Sequence, residues 1–126
     1  MFFVDRKKEA IRRRGENISA FEVETILAKH PAVLEVAAIA VPNEMSEDDV
    51  MVYVVTKPGA ALAHAEVVRF AAEHMSYFMV PRFVEFIAAL PKTETEKIQK
   101  YKLEQEAIAR RAELWDRERA GVVVLR

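Results

Sequence analysis

One lysine, Lys97, stands where a polar loop meets a strongly helical segment. It lies in the stretch Leu90-Pro-Lys-Thr-Glu-Thr-Glu-Lys97-Ile-Gln-Lys100, where a proline opens a turn rich in short polar residues. Such a loop can hold an ammonium group at a fixed point, where it neutralises charge forming on a carboxylate or phosphate oxygen. Spacing alone does not separate this role from that of a solvated loop lysine, which is the commoner case.

A basic segment near the amino terminus is the second candidate for chemistry. Residues 5–14 hold six Arg or Lys residues against two acidic residues. By itself this pattern fits a solvated face or, less often, a surface that binds the phosphates of nucleic acid. The net charge is −1 and aromatic residues are not interleaved with the basic ones, which disfavours nucleic acid as a partner.

The elements that must position these residues indicate an α+β fold. We predict a small three-stranded core sheet flanked by helices, a short N-terminal β-hairpin and a long C-terminal helix. Short N-terminal strands are expected at 2–4 and 10–13, before a turn at Gly15. Apolar runs rich in β-branched residues predict three core strands, the first two paired as a hairpin, at 33–41, 50–57 and 82–86.

Three helices complete this prediction. Ser19 and Glu22 have capping-box spacing and begin a helix that runs to about Lys29. Apolar residues at helical spacing predict a second, amphipathic helix over 63–75. A segment rich in Glu, Arg and Ala predicts the third and longest helix, from 99 to about 119.

Composition narrows the class of protein. A chain of 126 residues with 52% hydrophobic and 31% charged residues suits one globular domain. It has no cysteine, no apolar run near the length of a membrane span and no signal-peptide pattern, so we expect a cytoplasmic protein. The strand-like start at 2–4 suggests a segment of something longer.

No metal site is expected. The three histidines lack the spacing of metal ligands. The acidic connection Pro42–Asp49 lacks the alternating ligands and the glycine turn of a calcium loop. We expect that connection to be a solvated, exposed loop.

Six motifs in one order, across about residues 2–103, resemble a known domain. They are Asp5–Glu24 with its D-R-x-K and G-E-N-I-S elements, His30–Val33, Val41–Glu44, Val54–Gly59, Val80–Phe86 and Pro91–Ile98. Together they resemble the C-terminal domain of the AMP-forming acyl-CoA synthetases, a superfamily that includes peptide-synthetase adenylation domains and firefly luciferase. The tail at 115–121 and the segment at 46–52 look like the carnitine/crotonobetaine-CoA ligase branch.

The resemblance implies a ligase reaction in two steps. A carboxylate attacks the α-phosphate of ATP and expels pyrophosphate, and the thiol of coenzyme A then attacks the acyl-adenylate and releases AMP. In the family, the lysine of P-K-T-x-x-G-K contacts the reacting oxygens in the first step, and Lys97 occupies its place. The resemblance thus implies that Lys97 is the catalytic residue, and acyl or fatty-acid metabolism is the implied setting.

The N-terminal segment matches the residues that serve the nucleotide and the second step. Arg6 matches an arginine near the adenylate ribose and phosphate, and Lys8 matches the hinge about which the domain rotates. The loop implied to enter the site for thioester formation contains Arg12, Arg14, Gly15, Glu16 and Asn17, with Gly15 leaving room for the pantetheine chain of coenzyme A.

Most of the implied active site is absent from these residues. The phosphate loop, the adenine pocket and the acyl tunnel belong to a large N-terminal adenylation domain, which is the implied partner and holds most of the ATP or AMP and Mg²⁺. We therefore expect residues 1–103 to form a mobile lid, followed by a helical extension and tail at 104–126, and no activity from the chain alone. The alternative is a regulatory or interaction domain that has lost catalysis.

Glu96 is the departure that supports this alternative, because the family has glycine before the lysine. Glutamate restricts the backbone and adds a carboxylate beside an ammonium that must meet anions. We predict that Glu96→Gly in the complete polypeptide raises the adenylation rate, measured as ATP–pyrophosphate exchange. An unchanged or lower rate would show that Glu96 is no handicap.

Overall fold

A mixed four-stranded sheet forms the centre of the protein, and a separate two-stranded hairpin packs beside it. The computed structural model describes residues 10–13, 16–42, 48–76, 79–92, 94, 98–110 and 113–121. The strands are β1 (Ala10–Arg13), β2 (Glu16–Ser19), β3 (Val33–Pro42), β4 (Asp48–Thr56), β5 (Phe83–Phe86) and β6 (Trp115–Asp116). The helices are α1 (Ala20–Leu27), α2 (His64–His74), α3 (Lys100–Ala109) and α4 (Arg117–Ala120).

The sheet has the strand order β3-β4-β5-β6. Strands β3 and β4 form an antiparallel hairpin, with Ala38 opposite Val52. Strand β5 then pairs in parallel with β4, after a connection that contains α2, and β6 pairs antiparallel with β5. The separate hairpin pairs β1 with β2, with Ile11 opposite Ile18.

Apolar clusters cover both faces of the sheet. Side chains alternate along a strand, so each of the two longest strands contributes residues to both clusters. On β4, Val50, Val52 and Val54 belong to one apolar cluster, together with residues of the β1–β2 hairpin, α1 and α2. Met51, Tyr53 and Val55 point to the other cluster, which contains Leu103 and Ala107 of α3. Burial on two faces explains why β3 and β4 are nearly continuous apolar runs in the sequence.

The α+β class is confirmed, and most elements lie close to their predicted places. The β3–β4 hairpin forms as predicted. A short hairpin also forms near the amino terminus, but it pairs Ala10–Arg13 with Glu16–Ser19, where no strand was expected. The Ser19 hydroxyl accepts a hydrogen bond from the Glu22 N–H at 3.2 Å and begins α1, as its spacing predicted. The predicted strand at 2–4 lies outside the described residues.

Two parts of the predicted architecture are wrong. The helix expected from 99 to about 119 ends at Ala109, and the sheet has four strands rather than three. Trp115 and Asp116 form the added strand β6, because they cover the edge of β5 and the buried Asp116 pairs there with Arg82.

Arg82 links three strands of the sheet through two carboxylates. Its Nη1 donates to Asp49 Oδ2 at 3.0 Å, and its Nε and Nη2 donate to the two oxygens of Asp116 at 3.0 Å each. The two aspartate side chains are only 1% and 4% exposed. Asp49 was expected in a solvated loop; it lies in β4 and is buried, because Arg82 supplies the opposite charge that an acid at this depth requires.

The burial of Asp49 and Asp116 depends on the positive charge of Arg82. We predict that Arg82→Met lowers the free energy of unfolding by about 3 kcal/mol, because it leaves two buried carboxylates without this partner. Urea unfolding of the chain measures this loss. Arg110→Met is the control: Arg110 pairs with Glu85 and Glu106 in a more exposed setting, and we expect a much smaller change. Equal losses in the two variants would contradict this account of Arg82.

His64 packs between two aromatic rings at the start of α2. Its ring centroid lies 4.7 Å from that of Phe86, edge to face, and 5.1 Å from that of Trp115, stacked. Burial lowers the pKa of His64 below its usual value, and the charge of Glu85 opposes that fall. The neutral ring therefore favours the folded state.

A histidine whose pKa is lower in the folded state than in the unfolded state contributes to the free energy of unfolding. This contribution is fully present above the pKa of the unfolded state and is lost as the pH falls through the pKa of the folded state. We predict that the chain loses stability as the pH drops below about 6.5, in part through His64. His64→Phe keeps an aromatic ring that does not titrate, so its urea midpoint will fall less between about pH 7 and pH 5. Identical pH slopes for the two proteins would exclude this contribution.

Candidate functional site

The loop that carries Lys97 is closed at its base by backbone pairing. Lys97 itself, with residues 93, 95 and 96, lies outside the described residues. On either side of them, Lys92 and Ile98 form an antiparallel bridge, and the Gln99 N–H donates to the Pro91 carbonyl at 2.9 Å. The two ends of the predicted catalytic loop are therefore held together.

Ion pairs attach each end of this loop to a different element. Lys92 Nζ lies 2.8 Å from Glu35 Oε1 on β3. Lys100 Nζ, at the first residue of α3, lies 2.6 Å from Glu24 Oε2 on α1. The amino groups of Lys92 and Lys100 are thus engaged by carboxylates within the domain.

Apolar contacts support the same loop from below. Leu90, just before its base, is buried with α3 in one apolar cluster, and Ile98 packs against that cluster half-buried. The Tyr53 hydroxyl, fully buried on β4, donates to the Leu103 carbonyl of α3 at 3.3 Å. Burial is the main cause that raises the pKa of Tyr53, so this phenol stays a donor. The start of α3 is consequently fixed on the sheet.

Glu104, one turn into α3, is a second acidic residue that interacts with Lys100. Burial raises the pKa of Glu104, the charge of Lys100 opposes this rise, and the charge of Asp48 adds to it. Lys100 therefore carries favourable interactions with Glu24 and Glu104, both within the domain.

The hairpin predicted to serve thioester formation is present as backbone. Its register pairs Arg12 with Asn17 and Arg13 with Glu16, so the ladder ends on either side of residues 14 and 15. Ile11 and Ile18 anchor the hairpin in the core, at 1% and 2% exposed. The side chains of Arg12, Glu16 and Asn17 are outside the described structure.

The remaining predicted site residues, Arg6, Lys8, Arg14 and Gly15, also lie outside the described residues. Their roles stay predictions. The ion pair between Glu24 and Lys100 joins α1 to the start of α3. Helix α1 begins directly after the hairpin, and α3 follows the segment that contains Lys97.

Sequence reasoning missed the four residues that pair at the base of the loop. Glu24 and Lys100 stand at the ends of the motifs that were singled out, but each looked like an ordinary surface charge. Lys92 belongs to the motif Pro91–Ile98 but carried no predicted contact, and Glu35 gave no signal. Their partners are far apart in the chain, so no local spacing reveals the pairs.

Among the residues that the structure describes, there is neither a candidate metal site nor a candidate membrane span. There, no group of three or more His, Cys, Asp or Glu side chains could hold a metal ion. No helix among these residues is both long and apolar enough to cross a membrane.

Comparison with known proteins gives the same answer as the motifs. The protein-family model for the AMP-binding enzyme C-terminal domain matches residues 22–97 of this chain. A probable CoA ligase of Humulus lupulus, CCL11, is 41% identical over 103 residues, which are 80% of this chain and 18% of that protein. The crotonobetaine/carnitine–CoA ligase of Proteus mirabilis is 37% identical over 82% of this chain and 20% of its own length.

A solved structure shares the fold as well. The ATP-bound MatB of Rhodopseudomonas palustris superposes with a TM-score of 0.77 at 27% identity, over 81% of this chain and 20% of that one. The chain therefore spans about a fifth of the length of these relatives. From its sequence and its fold, this chain belongs to the AMP-binding enzyme C-terminal domain family.

Proposed function

We propose that this chain is the mobile C-terminal domain of an ATP-dependent acid–thiol ligase. In the first step, a carboxylate oxygen bonds to the α-phosphorus of ATP and the bond to pyrophosphate breaks. In the second step, the sulfur of coenzyme A bonds to the acyl carbon and AMP leaves. The chain is not expected to catalyse either step alone.

One observation carries the proposal: the family match ends at Lys97, and the residues on both sides of the Lys97 loop are held in place. A carboxylate that approaches a triphosphate meets strong repulsion, which a fixed cation offsets most where negative charge develops. We assign that role to Lys97. A loop with anchored ends suits it, since small displacements of a catalytic group cost much of the rate.

The other roles follow the same family pattern. Arg6 contacts the ribose and phosphate of the adenylate through its forked donors. Lys8 is the hinge that lets the domain rotate between the two steps. The hairpin loop with Arg12, Arg14, Gly15, Glu16 and Asn17 then faces the thiol.

The partner is an N-terminal adenylation domain that binds most of the substrates. The Rhodopseudomonas palustris relative binds ATP, and the curated relatives are CoA ligases, which supports ATP and coenzyme A as substrates here. Mg²⁺ would accompany the phosphates of ATP and be held mainly by the N-terminal domain. We propose residues 1–103 as the lid, residues 104–126 as its extension, and the cytoplasm as its location.

Two variants of the complete polypeptide separate the two steps. Lys97→Ala will lower ATP–pyrophosphate exchange by about 100-fold or more, because a cation that contacts the reacting oxygens is lost. Gly15→Trp will leave exchange nearly intact and block CoA-dependent release of AMP, because the indole fills the path of the thiol. Crotonobetaine, carnitine, butyrate, octanoate and palmitate form the first panel of acids.

Matched controls isolate each effect. Lys102→Ala removes an exposed lysine of α3 and will change exchange by less than about 2-fold. Gly15→Ala tests whether size, rather than the loss of glycine, blocks the second step. Mild and equal effects of Lys97→Ala and Lys102→Ala on exchange would favour the regulatory domain instead.

A further inference from the structure

Glu24 is bound to two different elements through one carboxylate oxygen. Its Oε2 accepts the backbone N–H of Ala38 at 2.8 Å and lies 2.6 Å from Lys100 Nζ. Ala38 belongs to β3, the edge strand of the sheet, and Lys100 begins α3. The side chains of Glu24 and Lys100 are only 18% and 21% exposed, so water weakens this pair less than a surface pair.

The start of α3 needs this outside help. Its first turn has no acidic residue, and its N-cap, Gln99, makes no side-chain capping bond. A helix N-terminus carries partial positive charge, so a lysine at the first position is unfavourable there. Glu24 supplies from α1 the negative charge that the first turn of α3 lacks.

The position of this helix start bears directly on Lys97. Lys100 follows Lys97 by less than one helical turn of chain, and the bridge between Lys92 and Ile98 is a single pair. On one side, the loop is tied to β3 through Lys92 and Glu35. On the other side, it is tied to α1 through Lys100 and Glu24.

We propose that Glu24 and Lys100 are positioning residues for the adenylation step, which act by fixing the carboxyl end of the Lys97 loop. Neither side chain is assigned a contact with substrate. The inference rests on the proposed function, and it adds a residue of α1 to the machinery of the first step. A merely structural pair would instead affect both steps alike, through the stability of the domain.

The test uses the complete polypeptide and the acid of the panel that gives the fastest exchange. Glu24→Gln keeps an acceptor for the Ala38 N–H but loses the charge, and Lys100→Gln loses the opposite charge. We expect each to lower the kcat of ATP–pyrophosphate exchange about 10-fold, with CoA-dependent turnover of preformed acyl-adenylate changed by less than about 2-fold. The double variant will be no slower than either single one, because both remove the same interaction.

Rescue and a matched control complete the design. Lys100→Arg keeps the charge and will recover exchange to within about 2-fold of the natural protein. Arg110→Gln breaks an ion pair with Glu85 at the other end of the same helix and will change exchange by less than about 2-fold.

A second measurement does not depend on the acid. Trypsin cleavage after Lys97, followed by mass spectrometry, will speed up about 5-fold in Glu24→Gln and Lys100→Gln and stay unchanged in Arg110→Gln. Unchanged exchange and unchanged cleavage in both pair variants would overturn the inference and leave the proposed function in place. Parallel losses in both half-reactions would overturn it too, whereas exchange that is insensitive to Lys97→Ala would remove the proposed function itself.

Discussion

The burial of β4 on both faces is the constraint from which the rest of this fold follows. From Val50 to Val55 the strand is a run of buried, mainly apolar side chains that point alternately to its two faces, so other elements must cover each face. The hairpin, α1 and α2 cover one face, and α3 covers the other. The residues just before α3 meet the margin of the sheet, where Lys92 pairs with Glu35 on the edge strand β3.

At that margin, polar contacts complete what apolar packing begins. The edge strand β3 exposes backbone groups that need partners, and Glu24 satisfies one of them at Ala38. The same carboxylate joins α1 to the start of α3. A single acid therefore links the helices that cover opposite faces of the sheet, and the segments that precede those helices are the two loops assigned to the two chemical steps.

Signals that are local in the chain predicted the structure well. Ser19 and Glu22 are three residues apart, and the cap they form depends on nothing else, so the start of α1 was readable. The β-branched runs of β3 and β4 were readable because two-sided burial leaves few polar positions in these strands. Motif order was enough for the family, since six short matches rarely occur together by chance.

Features that depend on partners far away in the sequence could not be predicted from the sequence alone. Asp49 looked like one more acid in a polar run, and only Arg82 and the fold around it explain its burial. Trp115 and Asp116 followed a helical pattern, yet pairing with β5 and the charge of Arg82 outweighed that preference. The pairs of Glu24 with Lys100 and of Glu35 with Lys92 are hidden for the same reason, which is why the candidate loop was found but its supports were not.

The short strand β6 has a consequence for where this module ends. The match to the family model stops at Lys97, but the fourth strand and one of the two acids on Arg82 come from beyond that match. An exchange of such domains between ligases that cut the chain at the end of this match would strip β5 of its outer neighbour and leave Arg82 with one of its two aspartates, so the splice belongs after Asp116.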